Sequence, residues 1–207
     1  MGTQVSSTAS PHPTLDALEP GRVVGLAGFP GLGVTRLGLS LLSSAPGAIA
    51  YVDARGWFCP LSAWESGVEP HRLVVVRCTD RGSWPRVVAA LAEGVRGIYA
   101  EVPAGVPDAM LRRLAALVKN RRSALLLRPL RGQLPAGISH ARYEMQETYW
   151  EGTDQGHGRL QRRRMIVEVS GKATGGISRI FEIEDDGTNP LRLVPRLASA
   201  SAGYATG

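Results

Sequence analysis

The sequence predicts an α/β fold, a mostly parallel sheet flanked by helices and continued on its C-terminal side by antiparallel strands. Three observations predict it. Short, continuously apolar runs alternate with amphipathic stretches through residues 23–127, the pattern of strands buried on both faces and joined by crossover helices. Beyond Pro135 the apolar period falls to two, with GTDQGHG and GKATGG between the runs, as in hairpins. Finally, 207 residues with 43% apolar and 20% charged side chains suit one domain around one sizeable core.

Val23–Ala27 is a short apolar run closed by a Gly/Pro cluster and reads as the first strand. Val34–Leu42 follows as a helix with Leu37, Leu41 and Leu42 on one side. Ala48–Asp53 is a second buried strand, Leu61–Glu65 a short helical segment and Leu73–Cys78 a third strand. Trp84–Glu93 carries Val87, Val88 and Leu91 at helical spacing, and Ile98–Val102 is a fourth strand. Asp108–Lys119 is the clearest helix. Pro107 precedes it, Leu111, Leu114, Leu117 and Val118 share a face, and Lys119, Arg121 and Arg122 put cations where the helix dipole favours them. Ser123–Leu127 is a fifth strand, and Ala141–Glu151, Arg159–Ser170 and Arg179–Glu184 form the antiparallel extension. The domain is expected over residues 14–196, between flexible tails at 1–13 and 197–207 rich in small residues without periodicity.

Composition narrows the function classes. A mean hydropathy of −0.05 and charges at Arg22, Asp53, Arg77 and Arg128 leave no apolar run near the ~18 residues a spanning helix needs. The first residues lack the basic start and apolar stretch of a secretion signal. Two cysteines, Cys59 and Cys78, point to a reducing cytoplasm, and without a CxxC pair there is no zinc-ribbon site. His12, His71, His140 and His157 show no metal-ligand spacing, so no metal is expected. The net charge of +6 and pI near 9.9 permit nucleic-acid or acidic-protein partners. Nearly all of the basic residues are arginines; Lys119 and Lys172 are the only lysines.

The chemistry-bearing candidate is the turn after the first strand. Gly28, Gly31, Gly33 and Thr35 lie at strand-to-helix position with the spacing of a phosphate-binding GxxxxGK[ST] loop, except that Val34 stands where the lysine belongs. The backbone N–H groups of such a loop cradle phosphates, while the lysine balances their charge. A valine cannot do that. The alternative reading is a plain tight turn for which glycine is the fitting residue.

From Thr14 to Asp185 the order of segments resembles the core of the RecA recombinase family. TLDALEPGRVVGLAGFPGLGVTRL resembles its lead-in, first strand and phosphate loop, and YVDARGWFCPLSAWESGVEPHRLVVVR its next strand, short helix and third strand. Residues 96–104 resemble the Walker B strand, and SALLLRPLRG the strand that ends at a sensor glutamine. Against that family the departures fall on the chemistry: Val34 for the lysine, Arg55 for the water-activating acid, Ser62 for the residue stacked on adenine, and Arg128 or Leu130 for the sensor. The Walker B acid position falls on Ala100 with Glu101 one place late, which on a strand aims Glu101 at the opposite face. The long DNA-binding loop shrinks to RGQLPAG, and too few residues precede Thr14 for a filament-packing arm.

A RecA-like core stripped in this way is similar to the ImuA family of mutagenesis accessory proteins, above all its short actinobacterial ImuA-prime type. The resemblance implies a pseudo-ATPase without cofactor. It implies an adaptor in SOS-induced translesion synthesis, cytoplasmic and on the nucleoid after DNA damage. Its partners would be ImuB (an inactive relative of Y-family polymerases), through ImuB an error-prone C-family DNA polymerase, and RecA itself. Alternatives are a weak recombinase-like ATPase using Thr35 and Glu101, a DNA-binding module, and a shortened division inhibitor of the SulA type.

Two further groups are candidate DNA- or partner-binding residues. Arg159, Arg162, Arg163 and Arg164, with Lys172 and Arg179, concentrate charge in the antiparallel extension, where arginine forks suit phosphate and carboxylate alike. The other reading is a solvated edge strand whose charges block aggregation. Trp57 and Trp64, with Phe58 between them, are either a packed cluster or an interface anchor. Leu191, Leu193, Val194 and Leu197 are likewise core or docking surface.

Overall fold

In a computed structural model, which describes residues 18–152, 161–187 and 191–194, the apolar runs assemble into one nine-stranded sheet. The strands are β1 (Val23–Ala27), β2 (Ile49–Asp53), β3 (Leu73–Arg77), β4 (Gly97–Val102), β5 (Ala124–Pro129), β6 (Ala141–Glu151), β7 (Arg162–Gly171), β8 (Arg179–Asp185) and β9 (Arg192–Val194). Their order is β3-β2-β4-β5-β1-β6-β7-β8-β9. Four helices, α1 (Val34–Ser43), α2 (Leu61–Glu65), α3 (Trp84–Gly94) and α4 (Asp108–Arg121), fill the connections among the first five strands. None of the described helices is long and apolar enough to cross a membrane.

Side-chain alternation divides the core. Tyr51, Tyr99 and Leu126 point to the face covered by α1 and α2, where Leu37, Leu41 and Ala63 meet them. Their neighbours Val52, Ile98, Ala100, Leu125 and Leu127 point to the face covered by α3 and α4, against Trp84, Val88, Leu111, Leu114 and Val118. Both faces of the parallel half are thus dry, which accounts for runs such as Ala124–Leu127 without a polar residue. Met145, Met165, Val167 and Ile183 carry the α1 face into the antiparallel half.

The element bounds follow the sequence reading to within a few residues, and three points depart from it. The strand Ala141–Glu151 is not simply half of a hairpin. It pairs parallel with β1 (Leu26 opposite Tyr143) as well as antiparallel with β7, and so joins the parallel strands to the antiparallel extension in one sheet. The arginine-rich strand is no edge: β7 lies between β6 and β8, which overturns the edge-strand reading. A short β9 at Arg192–Val194 was not anticipated, and Leu191 before it is buried. The tails at 1–13 and 197–207, as well as Arg159 and Leu197, lie outside the described residues.

Candidate functional site

The glycine-rich turn leaves β1 with Gly28, Gly31 and Gly33 all at positive φ, 143°, 90° and 86°. At Gly33 a Cβ would also come within 2.6 Å of Met165 Sδ, so the turn is pressed against β7. Val34 opens α1 and borders the cleft above the turn, but it is 2% exposed and packs into the core with Leu37 and Met145. Burying that side chain contributes roughly 1.5–3 kcal/mol. Thr35, the hydroxyl of the motif, accepts a hydrogen bond from Arg128 Nη1 at 3.0 Å.

Glu101 is the main correction. It shares the strand parity of Tyr99, not of Ala100, and so lies on the α1 face, beside the turn and not away from it. Only 1% exposed, its carboxylate accepts from Tyr51 Oη at 3.0 Å, Ala54 N at 3.2 Å and Arg55 Nε at 3.0 Å. Arg128 Nη1 lies 4.0 Å away. The hydrogen bond to Glu101 raises the pKa of Arg55, and burial, then the neighbouring Tyr99 and Glu101, holds the Tyr51 hydroxyl far above its ordinary value. Burial likewise pushes Tyr99 up to about 12, although Arg128 and Thr35 beside it favour the charged form.

A second buried carboxylate closes the other side. Asp185, at the end of β8, accepts from Arg163 Nη2 at 2.6 Å and Arg36 Nη2 at 3.3 Å. Burial alone would raise its pKa, but the hydrogen bond from Arg163 and the charge of Arg36 outweigh it and hold the group below the usual carboxylate range. Asp53 ends β2 and accepts the backbone N–H groups of Arg55, Gly56, Trp57 and Phe58, so the chain after β2 is folded around one carboxylate.

These residues line a cleft of about 600 Å³ between the turn, α2 and the antiparallel strands. Its wall carries Arg36, Arg55, Arg128 and Arg163 together with Glu65, Asp185 and Asp186, and Glu101 lies behind them. Ser62 lines it from α2. At its mouth Phe29 is 80% exposed and Trp150 is exposed too. Arg163 Cζ stands 5.1 Å over the Trp150 ring and Arg55 Cζ 5.1 Å over that of Trp57, which is 76% exposed. Trp64 and Leu61 are exposed on α2, whereas Phe58 stacks on Tyr51 with centroids 3.7 Å apart. The aromatic cluster around the end of β2 therefore splits into a packed ring and two surface rings.

The structure brings together the turn, Thr35, Glu101 and Arg163, but not the other basic candidates. Arg162 and Arg164 occupy the opposite face of β7 and pair with Glu184 at 2.6 Å, Glu151 at 3.1 Å and Glu182 at 3.6 Å. Lys172 lies in a short 3-10 turn after β7 and Arg179 at the exposed start of β8. Arg36, Asp185, Tyr99 and Trp150 escaped the sequence reading; the Arg36–Asp185 pair spans 149 residues and leaves no local signal. Among the described residues no three His, Cys, Asp or Glu side chains are placed to hold a metal ion.

The family model described as MT3502 N-terminal domain matches residues 12–134, more than half of the chain. The chain belongs to that family. The MT3502 N-terminal domain match ends in the short connection after β5, so Thr35, Arg55, Glu101 and Arg128 fall inside it and Arg163 and Asp185 beyond it. Among solved structures the chain is similar to the crystal structure of the RadB recombinase. The TM-score is 0.57 at 16% identity, over 86% of this chain and 93% of that one. That likeness is one of fold, and the fold is RecA-like. No curated protein matches the sequence.

Proposed function

We propose that this chain is a non-catalytic RecA-like accessory protein, a docking platform of the ImuA type in SOS-induced translesion synthesis. Its direct partner in this reading is an ImuB-type relative of Y-family polymerases, which links it to an error-prone C-family polymerase. The observation that supports a non-catalytic reading most is the occupancy of the cleft by the protein's own ion pairs. Each of the four arginines already faces a carboxylate, Thr35 or an aromatic ring. A triphosphate would have to displace those partners, and the motif's lysine position is a buried valine. The groups that such a loop turns to a magnesium nucleotide are engaged here, Thr35 by Arg128 and Glu101 by Tyr51, Ala54 and Arg55.

A docking role is supported by the rim. Phe29 lines the cleft, Trp57 lies under Arg55, and Leu61 and Trp64 are exposed on α2, and exposed aromatics beside arginine are the composition that anchors interfaces. Co-purification with an ImuB-type protein tests the reading. The wild-type chain should co-elute with it, and Trp57→Ala with Trp64→Ala should weaken binding at least tenfold, each anchor contributing about 1–2 kcal/mol. Failure of the wild type to bind any such partner, or measurable ATP turnover, would remove this function.

A further inference from the structure

At the opposite edge of the parallel strands, where β1 and β6 begin and α4 ends, lies a second concavity of about 550 Å³. Lys119, Arg122 and Lys172 line it, with Arg22, Glu19 and His140. A neighbouring hollow of about 620 Å³ shares Gly137, Ser139 and Lys172 with it and adds Arg142. Both lysines of the chain thus border one groove.

Among the described residues, three of this groove's five lysines and arginines have no acidic partner. Arg22 pairs with Glu19 and Arg142 with Glu144, each at 2.9 Å. Glu19 is the one acid among the residues lining either hollow. Lys119, Arg122 and Lys172 are exposed and have no carboxylate within ion-pair distance among the described residues. The dipole of α4 accounts for Lys119 and Arg122 at its C-terminal end. It does not account for Lys172, which arrives from the turn after β7. His140, on the same wall, keeps Nδ1 buried without a hydrogen-bond partner among the described residues.

The lining also selects the ligand. None of the large apolar side chains exposed among the described residues borders the groove, so it lacks the anchors of a protein interface and the rings on which unpaired bases stack. Small residues instead, Ala115, Ala116, Gly137, Gly171, Gly175 and Gly176, allow a backbone to approach. Point charges over a small-residue floor suit phosphates spaced along a duplex. We propose that this groove binds the phosphate backbone of duplex DNA, without reading sequence, on the edge remote from the aromatic rim.

Fluorescence anisotropy of the full chain with a labelled 20-base-pair duplex, over a salt series, tests this. Binding should weaken steeply with salt. The variant Lys119→Gln, Arg122→Gln, Lys172→Gln should bind more than tenfold more weakly at low salt and lose about 0.9 of log–log slope per phosphate contact removed. Arg162→Gln with Arg164→Gln should leave that slope unchanged. Lys172→Gln alone, at an exposed turn, should lose about one contact's worth of slope and keeps the test alive should the triple variant not fold. The proposal falls if wild type does not bind the duplex, if the Lys119, Arg122, Lys172 triple variant and Lys172→Gln bind as wild type does, if single strands bind better, or if poly-glutamate displaces the duplex as readily as unlabelled DNA.

Discussion

A valine at position 34 and an acid at position 101 decide the chemistry of this cleft, each through where its side chain points. Val34 packs into the core with Leu37 and Met145 while bordering the cleft, so a lysine in its place would give up that packing. Val34→Lys should destabilise the fold by about 2 kcal/mol, because the apolar burial of the valine is lost. A thermal melt would show this as a drop of several degrees, and an ATPase assay should stay at background. Turnover by that variant would mean that the loop is only one residue from activity. Glu101, by contrast, faces the site and is consumed by its neighbours: Tyr51, Ala54 and Arg55 share its two oxygens. The sequence reading placed it on the wrong face because alternation yields only relative parity, and the strand Gly97–Val102 is apolar on both sides up to that point. Tyr99, packed against α1 across Gly38, sets the absolute parity, and nothing local to the strand announces that contact.

Elements were legible wherever periodicity and punctuation are local. The strands of the parallel half, α1, α3 and α4 follow from apolar runs bounded by Gly, Pro and charge. What was not legible is how the second half returns. β6 lies parallel beside β1, a pairing fixed by tertiary packing of Ala141, Met145 and Val24 in one core, not by the turns that flank it. The clamp of α1, β7 and β8 around Asp185 is equally non-local. Its carboxylate, held below the ordinary value, stabilises the fold fully above about pH 4. That contribution fades as the pH falls through the lowered pKa and the folded state takes up the proton. Asp185→Asn should cost about 2–4 kcal/mol near neutral pH, because Arg36 and Arg163 lose their shared anion. Its melting temperature should fall less than that of wild type between pH 5 and pH 3. An equal acid sensitivity in the two proteins would show that Asp185 does not carry the effect.

Across the whole molecule, the RecA-like sheet separates two surfaces. The C-terminal ends of the parallel strands carry a cleft walled by paired charges and lined by Phe29, with Trp57 and Trp64 exposed nearby. Their N-terminal ends carry Lys119, Arg122 and Lys172, which have no carboxylate partner among the described residues. A fold shared with a recombinase hosts many roles, so the proposed docking role rests on the side chains over the glycine-rich turn and not on the sheet. The most direct test is a melting curve of the wild-type chain with and without millimolar magnesium ATP. A nucleotide bound at a hundred times its Kd would add about 2.7 kcal/mol, a rise of roughly 5–10 °C for a domain of this size. The proposed non-catalytic role, in which the cleft's arginines, Thr35 and Glu101 stay engaged by the protein's own groups, predicts superimposable curves, and a rise of several degrees would contradict it.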